Sequence, residues 1–349
     1  MAAAVSQSLR PAAKGPPTID EVARICGVSK GTVSKALNGR MHLVSKATRD
    51  EILRVANDIG FKPSWRARVL ANKRSQMIAL LHSSPNSSLP RTVYWEICDR
   101  LDELFRRQGY SITYIGGRET FSAFEQVLTD GRFDGVLGLG VLDAAVLGLI
   151  QERNLPCVLI NTGAGAEWTR VGVDDAGGTR EAMNHLLSLG HRRIAFTSTH
   201  KLDHPAWPLR YGTYRQCMTD ADLTPIDAFV GPGSGFVDYF KAQPKDERPT
   251  AVLDFSHWSA ISLLQWLWRA DLRVPQDISV VTFNDAYPVT ETIPPLTTVA
   301  LPSHAMADHV AKLLMERIED PDQPPETITL PERLVVREST APLRATGAS

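Results

Sequence analysis

The spacing of apolar residues changes its period along the chain. Between residues 18 and 60 they recur three and four apart: Ile19, Val22 and Ala23, then Val33, Ala36 and Leu37, then Ile52, Leu53, Val55, Ala56 and Ile59. That spacing predicts three short amphipathic helices. Thr18-Ile19-Asp20-Glu21 has the form of a capping box, with the Thr18 hydroxyl accepting from the Glu21 amide and the Glu21 carboxylate reaching back. Gly27 ends the first helix, Ser29 is placed to cap the second, and Asn38-Gly39 closes it. Ser45 caps the third and Gly60 ends it. On the second helix Lys30, Gly31, Ser34 and Lys35 are left facing outward.

From Met77 onward, short apolar runs alternate with amphipathic stretches. MIALLHSS, SITYIGG, FDGVLGLG and PCVLINTG read as strands, with VYWEICDRLDELFRRQGY, AFEQVLTDGR and AAVLGLIQERN as the helices between them. A second series opens at RVGVDDAGG and continues through EAMNHLLSLG, RRIAFTST, YRQCMTDADL, TAVLDFS, AISLLQWLWRADL and ISVVTFND. Such alternation implies βαβ units and parallel sheets. The fold expected is an all-α helix-turn-helix head on an α/β body of two parallel-sheet, Rossmann-like lobes. A ligand cleft is expected between the strand ends of the lobes.

Charge sharpens this division. The net charge of −1 conceals 14 Lys and Arg against 5 Asp and Glu in residues 1–75, and 24 against 34 in the remainder. A basic head attracts an anionic polymer, and an acidic body is held away from it. The opening MAAAVSQSLRPAAKGPP has no apolar core segment, so it reads as a disordered tail over 1–17, not a signal peptide. No apolar run of about 18 residues is present to span a membrane. Cys26, Cys98, Cys157 and Cys217 are far apart and form no CxxC pair. Reduced structural thiols in a cytoplasmic protein are expected, with no metal cluster and no cofactor.

A helix, a short turn and a second helix form the plan whose second helix enters the DNA major groove and reads bases near its N-terminus. Lys30 can reach guanine acceptors or a phosphate, Gly31 lets the backbone approach closely, and Thr32 can bond a phosphate. An ordinary three-helix bundle is the alternative. In PSWRARVLANKRS, Pro63 starts a helix and Ser64 helps to cap it, with Arg66, Arg68, Lys73 and Arg74 on or near it. A helix so short is marginal alone and would form on DNA beside a partner helix, with Leu70 as a minor-groove wedge. A charged linker is the alternative there.

VSKGTVSKALNG, VSKATRDEIL, IGFKPS and ARVLANKRS resemble the DNA-binding head and hinge of the lactose-repressor (LacI-type) family. VDDAGG, HLLSLGHRRIAF, VPQDISVVTFND, PPLTTV and LPERLVVREST extend the resemblance to about residue 340. The resemblance implies that residues 29–37 read the major groove and that Leu70 intercalates. It puts Thr18, Ser29, Lys30, Gly31, Thr32, Ser34, Lys35, Asn38, Ser64, Arg68 and Leu70 at the DNA. Lys30, Gly31 and Lys35 would set operator choice. Lys35 stands where Arg is usual, and Arg66 where a small apolar residue is usual.

The same resemblance implies three passes of the chain between lobes, near 162–170, 294–302 and 320–327. The expected domains are 18–62 (head), 63–76 (hinge), 77–163 with 301–320 (first lobe), and 164–300 with 321–340 (second lobe). It also implies a small polar effector, carbohydrates included. By position, Arg210 would grip an effector oxygen or carboxylate. Asn284 stands where Asp often accepts a sugar hydroxyl, Ser256 and His257 replace a usual Asn-Asp, and Thr213 replaces a usual Gly. These departures argue against an ordinary hexose in that cleft. Trp207 and Trp258 could stack on an apolar ring face, with core packing as the alternative. Ser83, Ser84 and Asn86 would border the cleft, although loop chemistry alone would explain them.

Enzyme motifs are missing. LGLGVLD lacks the third glycine of a dinucleotide turn, GPGSG lacks the Lys-Ser/Thr of a P-loop, and neither G-x-S-x-G nor H-E-x-x-H occurs. A solute-binding protein would carry an export signal and no basic head. The expectation is a ligand-responsive transcriptional repressor, not an enzyme. It would bind a pseudo-palindromic DNA operator as a homodimer, because each head reads a half-site.

Overall fold

A computed structural model describes residues 17–37, 44–61, 74–83, 93–117, 121–199 and 204–343. Asn38, Ser64, Arg66, Arg68, Leu70, Ser84 and Asn86 lie outside them, as do the expected tail up to residue 16 and most of the expected hinge. The chain divides into two compact units, Met1–Gln76 and Met77–Ser349.

The first unit holds α1 (Ile19–Cys26), α2 (Lys30–Leu37) and α3 (Lys46–Asp58). Their apolar stripes close on one another, with Val22, Val33 and Ile52 fully buried at the centre. The caps explain where the helices start and stop. Thr18 accepts from the Glu21 amide, Ser45 accepts from the Thr48 amide, and Gly27 ends α1 at φ 64°. That left-handed conformation is one glycine adopts without a Cβ penalty.

The second unit contains two six-stranded sheets. The first is built from β1 (Met77–Ser83), β2 (Ser111–Gly117), β3 (Gly135–Leu139), β4 (Cys157–Ile160), β5 (Arg170–Val173) and β11 (Thr327–Leu330). Its order is β11-β5-β4-β3-β1-β2, all parallel. Helices α4 (Trp95–Arg107) and α11 (Ser303–Glu319) cover one face, through Leu101, Phe105, Met306 and Leu314. Helices α5 (Phe121–Thr129) and α6 (Ala144–Glu152) cover the other, through Phe124, Leu128 and Ile150.

The second sheet repeats the plan with β6 (Ile194–Ser198), β7 (Phe229–Val230), β8 (Ala251–Asp254), β9 (Ser279–Phe283), β10 (Thr297–Ala300) and β12 (Arg333–Val335). Its order is β12-β10-β9-β8-β6-β7, with β12 antiparallel at the edge. Side chains alternate across it as strand geometry requires. Phe196 and Leu253 pack toward α7 (Asp175–Ser188) and α8 (Ala206–Asp220). Ala195 and Val252 pack toward α9 (Gly233–Ala242) and α10 (His257–Arg269). The central strands of both sheets are buried on two faces, which is why they read as continuous apolar runs.

The crossings between lobes correct the expected boundaries. β5 and β11 pair with each other at the edge of the first sheet, from Thr327 beside Arg170 to Leu330 beside Val173. The first crossing therefore lies between Val173 and Asp175, and the third between Leu330 and Arg333. Residues 164–173 and 321–330 belong with the first lobe, not the second. The second crossing, between Ala300 and Ser303, falls close to where it was expected. Among the described residues, no helix is long and apolar enough to cross a membrane.

Candidate DNA-reading helix and effector cleft

Burial of Val33 and Ala36 fixes which side of α2 faces inward. Lys30, Gly31 and Lys35 are exposed on the opposite side, and Ser34 is half-exposed beside them. Ser29 caps the helix: its Oγ accepts from the Thr32 amide at 3.1 Å and lies 2.9 Å from the Thr32 hydroxyl. Thr32 is thus tied into the cap. Lys30 is paired at 2.6 Å with Asp20 on α1, both side chains being well exposed. Sequence reading missed this pair. A Cβ added to Gly31 would meet only the Ser29 Oγ, at 3.6 Å. The fold itself therefore does not need glycine at this position.

In the body, the lobes meet along a crevice at the C-terminal ends of their strands. Asn284, at φ 71°, lines it with Asp285 and Ala286 opposite Val93 and Glu96 of the first lobe. Asn is one of the few non-glycine residues that adopts this conformation readily. A second meeting point joins the end of β4 to the start of α8. The His204 ring bonds the Asn161 carbonyl, and the Pro205 ring occupies the space a Gly163 side chain would enter. Asn161 Nδ2 in turn donates to the Tyr94 hydroxyl at 3.2 Å.

Arg210 is 3% exposed and already engaged. Its Nε donates to Asp175 Oδ1 at 2.7 Å and its Nη1 to the Phe255 carbonyl at 2.9 Å. Glu332 lies 3.8 Å from its Nη2, and the Phe283 ring lies 3.9 Å beneath the guanidinium. Asp175 and Glu332 stand on the first and third crossings, so one arginine bonds the first crossing to the end of β8 and lies beside the third. Burial, with Asp175 and Asp174 adding to it against the pull of Arg210, pushes the Glu332 carboxyl up to about 8. Burial likewise pushes His204 and His257 down to about 4, leaving both rings neutral at pH 7.

The remaining expected cleft residues separate into two groups. Trp207 is buried in an aromatic cluster, 5.1 Å from Phe255 and edge-on to Phe196 at 5.8 Å, so core packing accounts for it. Ser256 is the N-cap of α10 and accepts from the Ser259 amide. His257 is fully buried, and neither of its ring nitrogens has a hydrogen-bond partner. Trp258 stands beside it, 43% exposed. Asp175, His204 and Glu332 were missed by sequence reading, as were Tyr94 and Asn161. The signal available was VDDAGG beside a crossing and a glutamate within an otherwise apolar LPERLVV. All four cysteines are free thiols, and burial raises each above the ordinary thiol range, Cys157 to about 12. None of them is an activated nucleophile.

Comparison with known proteins agrees with this division. The family described as bacterial regulatory proteins, lacI family, matches residues 18–64, and a periplasmic binding protein-like domain matches 183–340. The HTH-type transcriptional regulator CelR of Thermobifida fusca is 30% identical over 335 residues, covering 93% of this chain and 98% of that protein. The HTH-type transcriptional repressor PurR of Vibrio atlanticus is 27% identical, covering 93% of this chain and 99% of its own. Among solved structures, a CelR–cellobiose complex matches with a TM-score of 0.68 at 28% identity, over 93% of this chain and 99% of that one. A lac repressor dimer bound to operator and the anti-inducer ONPF matches with a TM-score of 0.79 at 25% identity, over 94% and 100%. With a capped helix-turn-helix head, a two-sheet body and likeness over nearly the whole of both chains, this protein belongs to the lacI family of DNA-binding transcriptional regulators and is not an enzyme.

Proposed function

We propose that the chain represses transcription by binding a two-fold operator as a homodimer, and that an uncharged polar effector in the interlobe crevice controls this binding. The observation that carries the proposal is the outward face of α2, where Lys30, Gly31, Ser34 and Lys35 stand together on a helix whose other side is fixed in the core. Thr18, Ser29 and Thr32 supply the helix-end groups that position such a helix on phosphates. Residues 63–76, with Ser64, Arg68 and Leu70, form the connection through which the body would act on the head. Two-fold pairing follows the dimer seen in the lac repressor–operator structure. Ile293 and Tyr287, 96% and 71% exposed on one loop, offer apolar surface of the kind a partner covers.

Charge narrows the effector. Arg210 is balanced by Asp175 with Glu332 nearby, and the nearby histidines are neutral. An anionic effector would find no free cation in that cluster, whereas hydroxyls could pair with His257 and Asn284. Uncharged carbohydrate is therefore the favoured class, in keeping with the cellobiose in the CelR complex. Its binding would favour one lobe angle and shift operator affinity by its differential affinity for the two states. The test is an operator titration with and without cellobiose, other neutral oligosaccharides and sugar acids. A neutral sugar should change operator affinity, and a response restricted to acids or phosphates would overturn the charge argument.

A further inference from the structure

An ion pair joins α1 to α2 on the outward side of the head. Lys30 Nζ lies 2.6 Å from Asp20 Oδ1, with side chains 67% and 57% exposed. Lys30 is the first residue of α2 and Asp20 the second of α1. The pair therefore sits at the N-terminal end of the reading helix, the end that meets base edges in the major groove. A pair so exposed adds little to the stability of the fold. At DNA its carboxylate carries a cost. Residues 1–75 hold 14 Lys and Arg against 5 Asp and Glu, and here one of those few acids stands on the face turned to a polyanion, where it repels the backbone of any sequence. A hydrogen bond from a base offsets that repulsion, and the major-groove donors are cytosine N4 and adenine N6.

The spacing of the pair selects between them. Lys30 and Asp20 present a donor and an acceptor 2.6 Å apart. A G·C pair presents the complement: guanine O6 accepts, cytosine N4 donates, and these two atoms, bonded to each other, are about 2.9 Å apart. Lys30 fits over O6 and Asp20 over N4 without the ion pair parting. One ammonium hydrogen is engaged with Asp20, and the other two suit O6 and the neighbouring N7. A T·A pair offers thymine O4 and adenine N6 at similar spacing, but it gives the lysine one acceptor beside a methyl group. The arrangement also has a direction. A lone lysine is a point charge on a flexible four-carbon stem, able to follow a guanine to either strand. With Asp20 beside it, inverting the base pair sets the carboxylate against guanine O6 and the ammonium against the cytosine amino group.

We propose that Asp20 is a specificity-determining residue: joined to Lys30, it makes each head read a G·C pair with the guanine on one strand and reject the same pair inverted. This rests on α2 being the DNA-reading helix. The test uses the full chain. Selection of duplexes from a random pool by the wild-type chain and by Lys30→Ala locates the two symmetric base pairs whose preference depends on Lys30. Anisotropy titrations then compare the selected duplex with one in which both of those pairs are inverted. The wild-type chain should prefer the selected duplex by roughly tenfold or more. Asp20→Asn offers an amide that turns either its oxygen to N4 or its NH2 to O6, so its preference should shrink to within about threefold. An undiminished preference in Asp20→Asn overturns the proposal, as does a base pair other than G·C at the Lys30-dependent positions. In both cases α2 still reads DNA. Enrichment of no motif by the wild-type chain overturns the reading of α2 and this proposal with it.

Discussion

Gly31→Ala separates a residue kept for DNA from one kept for the fold, because the two roles give effects of opposite sign. Gly31 is the second residue of α2, its backbone is outside the left-handed region, and an added Cβ would lie 3.6 Å from the Ser29 Oγ, an ordinary contact. The fold should therefore gain stability, by up to about 1 kcal/mol for glycine to alanine within a helix. At the DNA the same methyl group would intrude where the backbone is proposed to lie against the groove. Forcing an extra carbon into a close-packed contact costs about 1–3 kcal/mol. That cost corresponds to a loss of roughly five- to 150-fold in affinity per head. No charge is removed, so the dependence of affinity on salt should keep its slope. Fluorescence anisotropy on a selected operator at several salt concentrations, paired with urea denaturation, measures both effects. Higher stability with unchanged operator affinity would show that Gly31 faces only solvent. Lower stability would contradict the local geometry.

Asp20→Asn should release Lys30 from its exposed pair. Operator affinity should then rise by a few fold, since such pairs are worth only about 0–1 kcal/mol, and unchanged affinity in the same titration would mean that Lys30 does not reach DNA. Arg210→Ala leaves Asp175 buried without its partner. Urea unfolding should show a loss of about 3–5 kcal/mol alongside loss of effector response, and a loss below about 1 kcal/mol would refute the reading of the pair as buried and structural. Glu332 binds its proton more tightly in the folded state, near 8, than an ordinary carboxyl near 4.3. Folded protein thus holds a proton that unfolded chain releases, so this group's contribution to stability is present at low pH and lost as pH rises toward 8. Glu332→Gln should remove that decline, making the variant's advantage in thermal melts grow from pH 5 to pH 8; parallel curves would refute it.

Local signals carried much of the fold. Thr18, Gly27, Ser29 and Ser45 mark helix ends by side-chain and backbone chemistry acting over a few residues, and the structure uses each of them. Apolar runs such as CVLI and AVLD are strands buried on both faces. The lobe crossings were less legible because β11 is a short edge strand whose residues alternate between exposed and half-buried. TITL and RLV look alike as patterns, and only pairing with β5 or β10 decides which sheet each joins. The partners of Arg210 were hidden for the same reason. Asp175 and Glu332 are distant from it in sequence, and their approach depends on how the crossings bring both lobes' chain segments together. Trp207 could be read as a stacking platform or as core, and burial beside Phe196 and Phe255 favours core.

The central claim is that α2 reads DNA through its outward face as one half of a symmetric pair. Its most direct test is selection of bound duplexes from a random pool by the wild-type chain and by Lys35→Arg, followed by sequencing. The account predicts an enriched pseudo-palindrome with two half-sites, in which Lys35→Arg changes base preference at symmetric positions. Enrichment of no palindrome, or an identical motif for both proteins, would contradict it.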